Sequence, residues 1–221
     1  MAVNARRLLG TVILTGLVCV GIGLYIGLYL TNVPGSVAAS QTSSGLQLNL
    51  AAVPAAELSD PHSTWVSFYA VNSSSGDWRH ETTYDLPANT LVHVTIFEYD
   101  SQTGLRNPFI SQATGTSGGT FVLDGKTVQT IGPDTASHVF AIPQIGLSVP
   151  LEGPSDNAKN PCSNAPCSLS NAHHTIQFAF RTPGKGLYRW QCFVPCAAGF
   201  IQGFGGPMQT VGYMDGYIKI A

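Results

Sequence analysis

The chain has 221 residues, of which only 10% are charged, and its formal net charge is -2. That length is sufficient for one domain of ordinary size beside an anchor or a linker. The low charge leaves no basic surface of the kind that binds nucleic acid, so we expect no nucleic-acid partner. The 24 glycine and 14 proline residues favour a fold rich in turns.

The first long segment, residues 8–30, is an uncharged apolar run. A helix of this length, rising about 1.5 Å per residue, would cross the roughly 30 Å hydrocarbon core of a membrane. Arg6 and Arg7 precede the run, so the positive-inside rule predicts a cytoplasmic N-terminus over residues 1–7. We therefore expect a single-pass helix in the plasma membrane with the rest of the chain outside the cytoplasm. A signal peptide cleaved near GSVAAS at 35–40 is the alternative.

Residues 31–60 are rich in Ser, Ala and Pro, which predicts a tether between the anchor and a domain over 61–221. In that domain, short runs of β-forming residues alternate with turn residues, as in TLVHVTIFEY at 90–99. No helical periodicity is present beyond the apolar run. The pattern predicts an all-β sandwich or barrel.

Two late runs predict a hairpin. TIQFAFRT at 175–182 and GLYRWQC at 186–192 flank a Pro-Gly-Lys turn at 183–185. In such a hairpin, His173 and His174 would lie near the sheet end at which the second run finishes. The histidines would then be close to the cysteines that end that run.

One cysteine pair lies in a loop rich in Pro, Asn and Ser. Cys162 and Cys167 occur in NPCSNAPCSLS, on the side of the membrane that favours oxidation. A disulfide between them is the prediction. A metal-binding pair is the alternative, although no histidine flanks the cysteines at zinc-finger spacing.

A second pair ends a predicted strand and enters a glycine-rich segment. Cys192 and Cys196 occur in YRWQCFVPCAAGF. Soft thiolates suit copper, which in mononuclear electron-transfer sites also takes two imidazoles and a weak axial ligand. Without a metal, two adjacent cysteines outside the membrane would form a disulfide where their geometry permits it.

Three stretches in this order carry a resemblance: SHVFAIPQIGLSVPLEG, TPGKGLYRWQCFVPC and MDGYIKIA. Together they resemble the periplasmic domain of cytochrome c oxidase subunit II, over about residues 87–221. The resemblance implies a cupredoxin-like Greek-key β-sandwich or barrel that carries a binuclear CuA centre. It also implies four copper ligands: His138, Cys192, Cys196 and Met214.

The chain departs from this family at one ligand. The position of the family's second histidine is occupied by Phe200 when counted from Cys196, and by Val211 when counted from Met214. The segment between these markers is also longer than in the family, which makes residues 200–211 an insertion of unassigned role. The CuA-like site is therefore incomplete, or degenerate, by one imidazole.

His173 or His174 is the candidate replacement for the missing imidazole.

Three functions remain open. The first is a subunit of a haem-copper terminal oxidase, bound to a haem-bearing membrane subunit, with either a structural role or electron transfer through an altered copper site. The second is a free-standing, membrane-tethered cupredoxin that binds copper or carries electrons. The third is a metal-free interaction module. No residue pattern indicates catalysis by this chain alone.

Overall fold

The computed structural model describes residues 5–27, 35–72, 75–195 and 206–221. The chain forms two compact units, Met1–Pro34 and Gly35–Ala221. The first unit contains helix α1 at Ala5–Tyr25, whose described apolar side chains are exposed. Among the helices that the structure describes, none has the length and hydropathy required to span a membrane. Residues 28–30 of the predicted span lie outside the described part, and the membrane-spanning helix stays a prediction.

The second unit, which we call the β unit, contains fourteen described strands. They are β1 Ser36–Ala38, β2 Ser40–Thr42, β3 Gly45–Val53, β4 Ser67–Val71, β5 Trp78–Arg79, β6 Thr83–Leu86, β7 Leu91–Glu98, β8 Phe121–Leu123, β9 Lys126–Val128, β10 Ala136–Ile142, β11 Leu147–Glu152, β12 His174–Arg181, β13 Gly186–Gln191 and β14 Asp215–Ile220.

The strands form two sheets. The first sheet has the order β1-β6-β14-β13-β10-β11. The second has the order β5-β4-β3-β7-β12-β8-β9, and β2 pairs with β3. Buried residues from both sheets form a shared apolar core, so the predicted all-β sandwich is confirmed.

The tether predicted over residues 31–60 is wrong from Gly35 onward. Strand β3 lies inside the second sheet between β4 and β7, paired to β7 in parallel and to β4 in antiparallel. Its residues Leu46, Leu48 and Leu50 are buried on one face. These leucines recur at every second position, which is typical of a strand with one face in the core. The Ser- and Ala-rich composition of the whole segment hid this alternation from the sequence analysis. Residues 31–34 lie outside the described part.

The predicted hairpin across residues 183–185 is also wrong. Strand β12 pairs with β7 and β8 in the second sheet, whereas β13 pairs with β10 and β14 in the first. The turn carries the chain from one sheet to the other. Large apolar side chains explain this, because Phe178 and Trp190 face each other across the core with Phe140 between them, at ring-centroid distances of 6.0 and 5.1 Å. The free energy gained by burying the inner faces of both sheets exceeds that of pairing two strands that are adjacent in sequence.

Trp190 is the largest fully buried side chain of this core. Its indole Nε1 donates a hydrogen bond of 2.8 Å to the carbonyl oxygen of Thr82, so its polar group is satisfied. Gly216 on the neighbouring strand leaves room for this contact. A Cβ atom added there would lie 1.9 Å from the Thr82 oxygen and 2.6 Å from the Trp190 nitrogen.

Candidate metal centre

His138 and Cys192 meet at one end of the first sheet. His138 is on β10, and Cys192 directly follows β13, which is hydrogen-bonded to β10 with Ala141 opposite Gln191. One residue further along, this antiparallel register sets Phe140 opposite Cys192. Because alternate residues of a strand share a face, His138 lies on the same core-facing side as Phe140. The register therefore directs the imidazole and the thiol side chain to the same place.

The imidazole is oriented by both of its nitrogen atoms. Nδ1 of His138 lies 3.9 Å from Sγ of Cys192, and each side chain is 0% exposed. Nε2 lies 3.1 Å from a carboxylate oxygen of Asp100 and 4.0 Å from one of Glu98. A hydrogen bond from Nε2 to a carboxylate fixes the ring and leaves Nδ1 directed at Cys192.

Glu98 and Asp100 were not identified from the sequence. Glu98 ends β7 and Asp100 follows two residues later. The signal was present in the pattern of the strand: Val94, Ile96 and Glu98 alternate on the face that enters the core. A carboxylate that continues a buried apolar face marks a partnered or functional position.

Burial and nearby charges shift the pKa values of Glu98 and His138. Burial raises the pKa of Glu98 to about 8, against the opposing effect of the positive charge on His138. Burial by itself lowers the pKa of His138, but the Glu98 carboxylate and the hydrogen bonds with Asp100 and Cys192 raise that pKa well above the ordinary 6.5. The Glu98–His138 pair therefore carries at least one proton in the neutral range. In the described part of the chain, the second carboxylate oxygen of Glu98 is buried without a hydrogen-bond partner.

Met214 is held beside Cys192 by the backbone. The N–H group of Cys192 donates to the carbonyl oxygen of Met214 at 3.0 Å, and Met214 itself is fully buried. The N–H group of Met214 donates in turn to the carbonyl oxygen of Pro207 at 3.0 Å. Gln191 donates to the carbonyl oxygen of Met208 at 2.6 Å. The described end of the 200–211 insertion thus packs onto the end of β13.

Of the four ligand positions implied by the family resemblance, the structure brings the side chains of His138 and Cys192 together and hydrogen-bonds the backbone of Met214 to that of Cys192. The fourth, Cys196, lies outside the described residues, as does Phe200. In the part of the chain that the structure describes, no group of three or more His, Cys, Asp or Glu side chains is arranged to hold a metal ion.

The two candidate replacement histidines have other partners. His174 begins β12, and its Nδ1 lies 2.5 Å from a carboxylate oxygen of Asp124. Nδ1 of His173 lies 2.8 Å from the carbonyl oxygen of Asn171, and its ring packs against Tyr99 at a centroid distance of 5.0 Å. His174 is in the second sheet and His173 directly precedes it, a placement that the wrong hairpin prediction had not allowed for. Among the described residues, neither ring forms a hydrogen bond with His138 or Cys192.

The disulfide predicted between Cys162 and Cys167 is present, with a Cα–Cα distance of 5.7 Å. Both cysteines are buried in a small second core, together with Tyr69 and Tyr99 from β4 and the end of β7. The disulfide therefore closes a loop that packs on the face of the second sheet opposite the main core.

No protein-family profile and no curated protein matches the chain. Reduced rusticyanin is a similar solved structure, with 18% identity, coverage of 86% of this chain and 87% of that chain, and a TM-score of 0.34. Rusticyanin from Thiobacillus ferrooxidans gives 16% identity, 86% and 85% coverage, and the same TM-score of 0.34. A chain of a heme-copper terminal oxidase dimer gives 12% identity, 99% and 100% coverage, and a TM-score of 0.33. TM-scores this low do not establish a shared fold.

Proposed function

We propose that the β unit is a cupredoxin-like domain that binds copper at His138 and Cys192 and takes part in one-electron transfer. The observation that carries this proposal is the approach of His138 Nδ1 to within 3.9 Å of Cys192 Sγ in a fully buried site. An imidazole and a thiolate are the donors that mononuclear electron-transfer sites present to copper, with a thioether as the weak axial ligand. Met214, whose carbonyl oxygen accepts a hydrogen bond from the N–H group of Cys192, would supply the thioether.

The donor chemistry fits copper, with one imidazole fewer than the complete set. Asp100 accepts the Nε2–H hydrogen bond of His138 and so orients Nδ1 toward Cys192, where the two side chains would hold the metal. Cys192 supplies a thiolate, and the buried walls around both residues exclude water. Bound copper would supply a reversible one-electron change. The strands that hold His138 and Cys192 would keep their geometry the same in both oxidation states.

A second candidate function is a metal-free structural domain. It is supported by the carboxylates around His138, since Glu98 and Asp100 can satisfy a protonated imidazole without any metal. The raised pKa of His138 favours that protonated form. In this alternative, Cys192 and Cys196 form a disulfide when the chain is oxidised.

We also propose that the chain is an extracytoplasmic subunit of a haem-copper terminal oxidase, anchored by residues 8–30. The order of the three motif stretches in the sequence supports the partner, and the uncharged run after Arg6 and Arg7 supports the anchor. The test is purification of the tagged chain from its native membranes. Stoichiometric recovery of a haem-bearing subunit is expected, and recovery of the chain alone would favour a free-standing cupredoxin.

Copper content of the full-length chain in mild detergent tests the main proposal. We expect tightly bound copper with an intense thiolate-to-copper absorption band, and loss of both in Cys192→Ser and His138→Ala. His174→Ala is the matched control, because that imidazole is bonded to Asp124, and it should retain the copper. Purple mixed-valence bands with two coppers would instead indicate a binuclear centre that includes Cys196. Absence of tight copper, with Cys192 and Cys196 bridged, would favour the metal-free alternative.

A further inference from the structure

A cluster of aromatic rings lies outside the candidate metal centre, where the loop after β3 meets the segment before β14. The ring of His62 stacks on Trp65 at a centroid distance of 4.0 Å. Trp65 makes an edge contact with Tyr213 at 4.9 Å, and Tyr213 makes another with His80 at 5.0 Å. His62 is exposed and Trp65 is half-buried, so the cluster extends from solvent into the domain.

The hydroxyl group of Tyr213 has a carboxylate as its partner. It donates a hydrogen bond of 2.9 Å to one oxygen of Asp60. The other Asp60 oxygen lies 3.0 Å from Nδ1 of His80. Among the described tyrosines of the β unit, Tyr213 is the one whose hydroxyl donates to a carboxylate; Tyr188, for comparison, donates to the carbonyl oxygen of Gly184.

We propose that Trp65 and Tyr213 form a redox relay that ends in a neutral tyrosyl radical at Tyr213. A strong outer-sphere one-electron oxidant at the exposed side takes one electron from the indole of Trp65 and is itself reduced by one electron. Tyr213 then gives one electron to the oxidised indole. Its phenolic O–H bond breaks, and the proton binds the Asp60 carboxylate. Return of one electron and of that proton restores the starting state.

The geometry suits both the electron transfer and the proton transfer of this step. Ring contacts at these distances provide direct van der Waals coupling between the indole and the phenol. The proton has only the length of an existing hydrogen bond to travel, and its acceptor is a charged carboxylate, which makes the stronger kind of hydrogen bond. Oxidation of Tyr213 therefore does not leave a positive charge on the ring.

The relay ends at the wall of the candidate metal centre. Tyr213 directly precedes Met214, and its carbonyl oxygen accepts a hydrogen bond of 3.0 Å from the N–H group of Phe68. The Phe68 ring lies 4.8 Å from the ring of Trp190 and 6.5 Å from that of His138. The relay involves no metal, so it stands or fails independently of the proposed copper function.

Flash photolysis of the copper-free, full-length chain tests the relay. The oxidant is tris(bipyridine)ruthenium(III) generated by a laser flash, and the readouts are the transient absorption and electron paramagnetic resonance of a tyrosyl radical. We expect a radical in the unmodified chain, a several-fold lower yield in Tyr213→Phe, and slower formation in Trp65→Phe. Tyr188→Phe is the matched control and should leave the yield unchanged.

An equal radical yield in Tyr213→Phe and the unmodified chain would overturn the proposal, as would an equal loss in Tyr188→Phe. Circular dichroism establishes that each variant is folded. If Tyr213→Phe does not fold, Asp60→Asn provides the same test, since the amide can accept the hydrogen bond but cannot hold the proton. A radical that forms in Asp60→Asn with unchanged yield and rate would also overturn it.

Discussion

Nδ1 of His138 lies 3.9 Å from Sγ of Cys192, although 54 positions separate the two residues in the chain. Pairing of β10 with β13 produces this approach, and the hydrogen bond from Nε2 to Asp100 gives the ring its direction. Both sheets therefore position the imidazole. His138 is on β10 and Cys192 follows β13 in the first sheet, whereas Asp100 follows β7 of the second.

Asp100→Asn should weaken copper binding by about 10–100-fold, the usual effect of losing a carboxylate that orients a ligating histidine. The neutral amide replaces the charged acceptor of the Nε2–H hydrogen bond, and the weaker bond orients the imidazole of His138 less well. Competition titration with a copper chelator measures the affinity. Asp134→Asn, at an exposed position, is the matched control. Equal affinities in the two variants would contradict the orienting role of Asp100.

Glu98 and His138 should each make the copper-free chain less stable as the pH rises from about 5 to about 8, against the opposite contribution of His80, whose pKa is lowered by burial. The folded-state pKa of Glu98 is raised from 4.5 to about 8, and that of His138 is also raised. For each group, the contribution to stability is complete below the unfolded pKa and is lost as the pH approaches the folded pKa. Each group can contribute a slope of at most about 1.4 kcal/mol per pH unit.

Glu98→Gln should flatten this pH dependence, because the amide resembles the protonated acid and does not titrate. Thermal unfolding across the pH range, in the presence of a chelator, measures the effect. Glu152→Gln, at a less buried position, is the control and should keep the slope of the unmodified chain. A slope that stays the same in Glu98→Gln would show that other groups control the pH dependence.

Gly216→Ala should destabilise the β unit by roughly 3 kcal/mol or more, at or above the upper end of the usual cost of overpacking a core. The added methyl group would meet the Thr82 carbonyl oxygen at 1.9 Å and displace the Trp190 hydrogen bond. Gly184→Ala is the control, since a Cβ atom there has no atom within 4 Å. Urea unfolding, monitored by tryptophan fluorescence, compares the two variants. Equal unfolding midpoints would contradict the close approach at Gly216.

Replacing both Cys162 and Cys167 by Ala should lower the free energy of unfolding by about 2 kcal/mol, the chain-entropy value for so short a closed loop. The β unit should remain folded, because its main core does not include this loop. Chemical unfolding with Cys19→Ala as the control measures the difference. Complete unfolding of the double variant would show that the second core depends on the disulfide.

The sequence was sufficient for the β-rich composition of the domain and for the disulfide, because both depend on local patterns. Alternating apolar residues mark strands wherever they occur, and two cysteines five positions apart in a Pro- and Asn-rich loop have few other partners. The pairing of strands, in contrast, does not depend on local sequence patterns. Runs 175–182 and 186–192 look like a hairpin, yet they belong to opposite sheets because Phe178 and Trp190 fill the core from its two sides.

The sequence by itself determined the type of each candidate ligand and the absence of a second imidazole at Phe200 and Val211. Only the tertiary structure decided which groups surround His138. The Glu98 and Asp100 carboxylates reach it from the other sheet, whereas His174 is bonded to Asp124. The physical reason is that side-chain chemistry is fixed residue by residue, but burial and electrostatic partners depend on how distant strands pack around a common core.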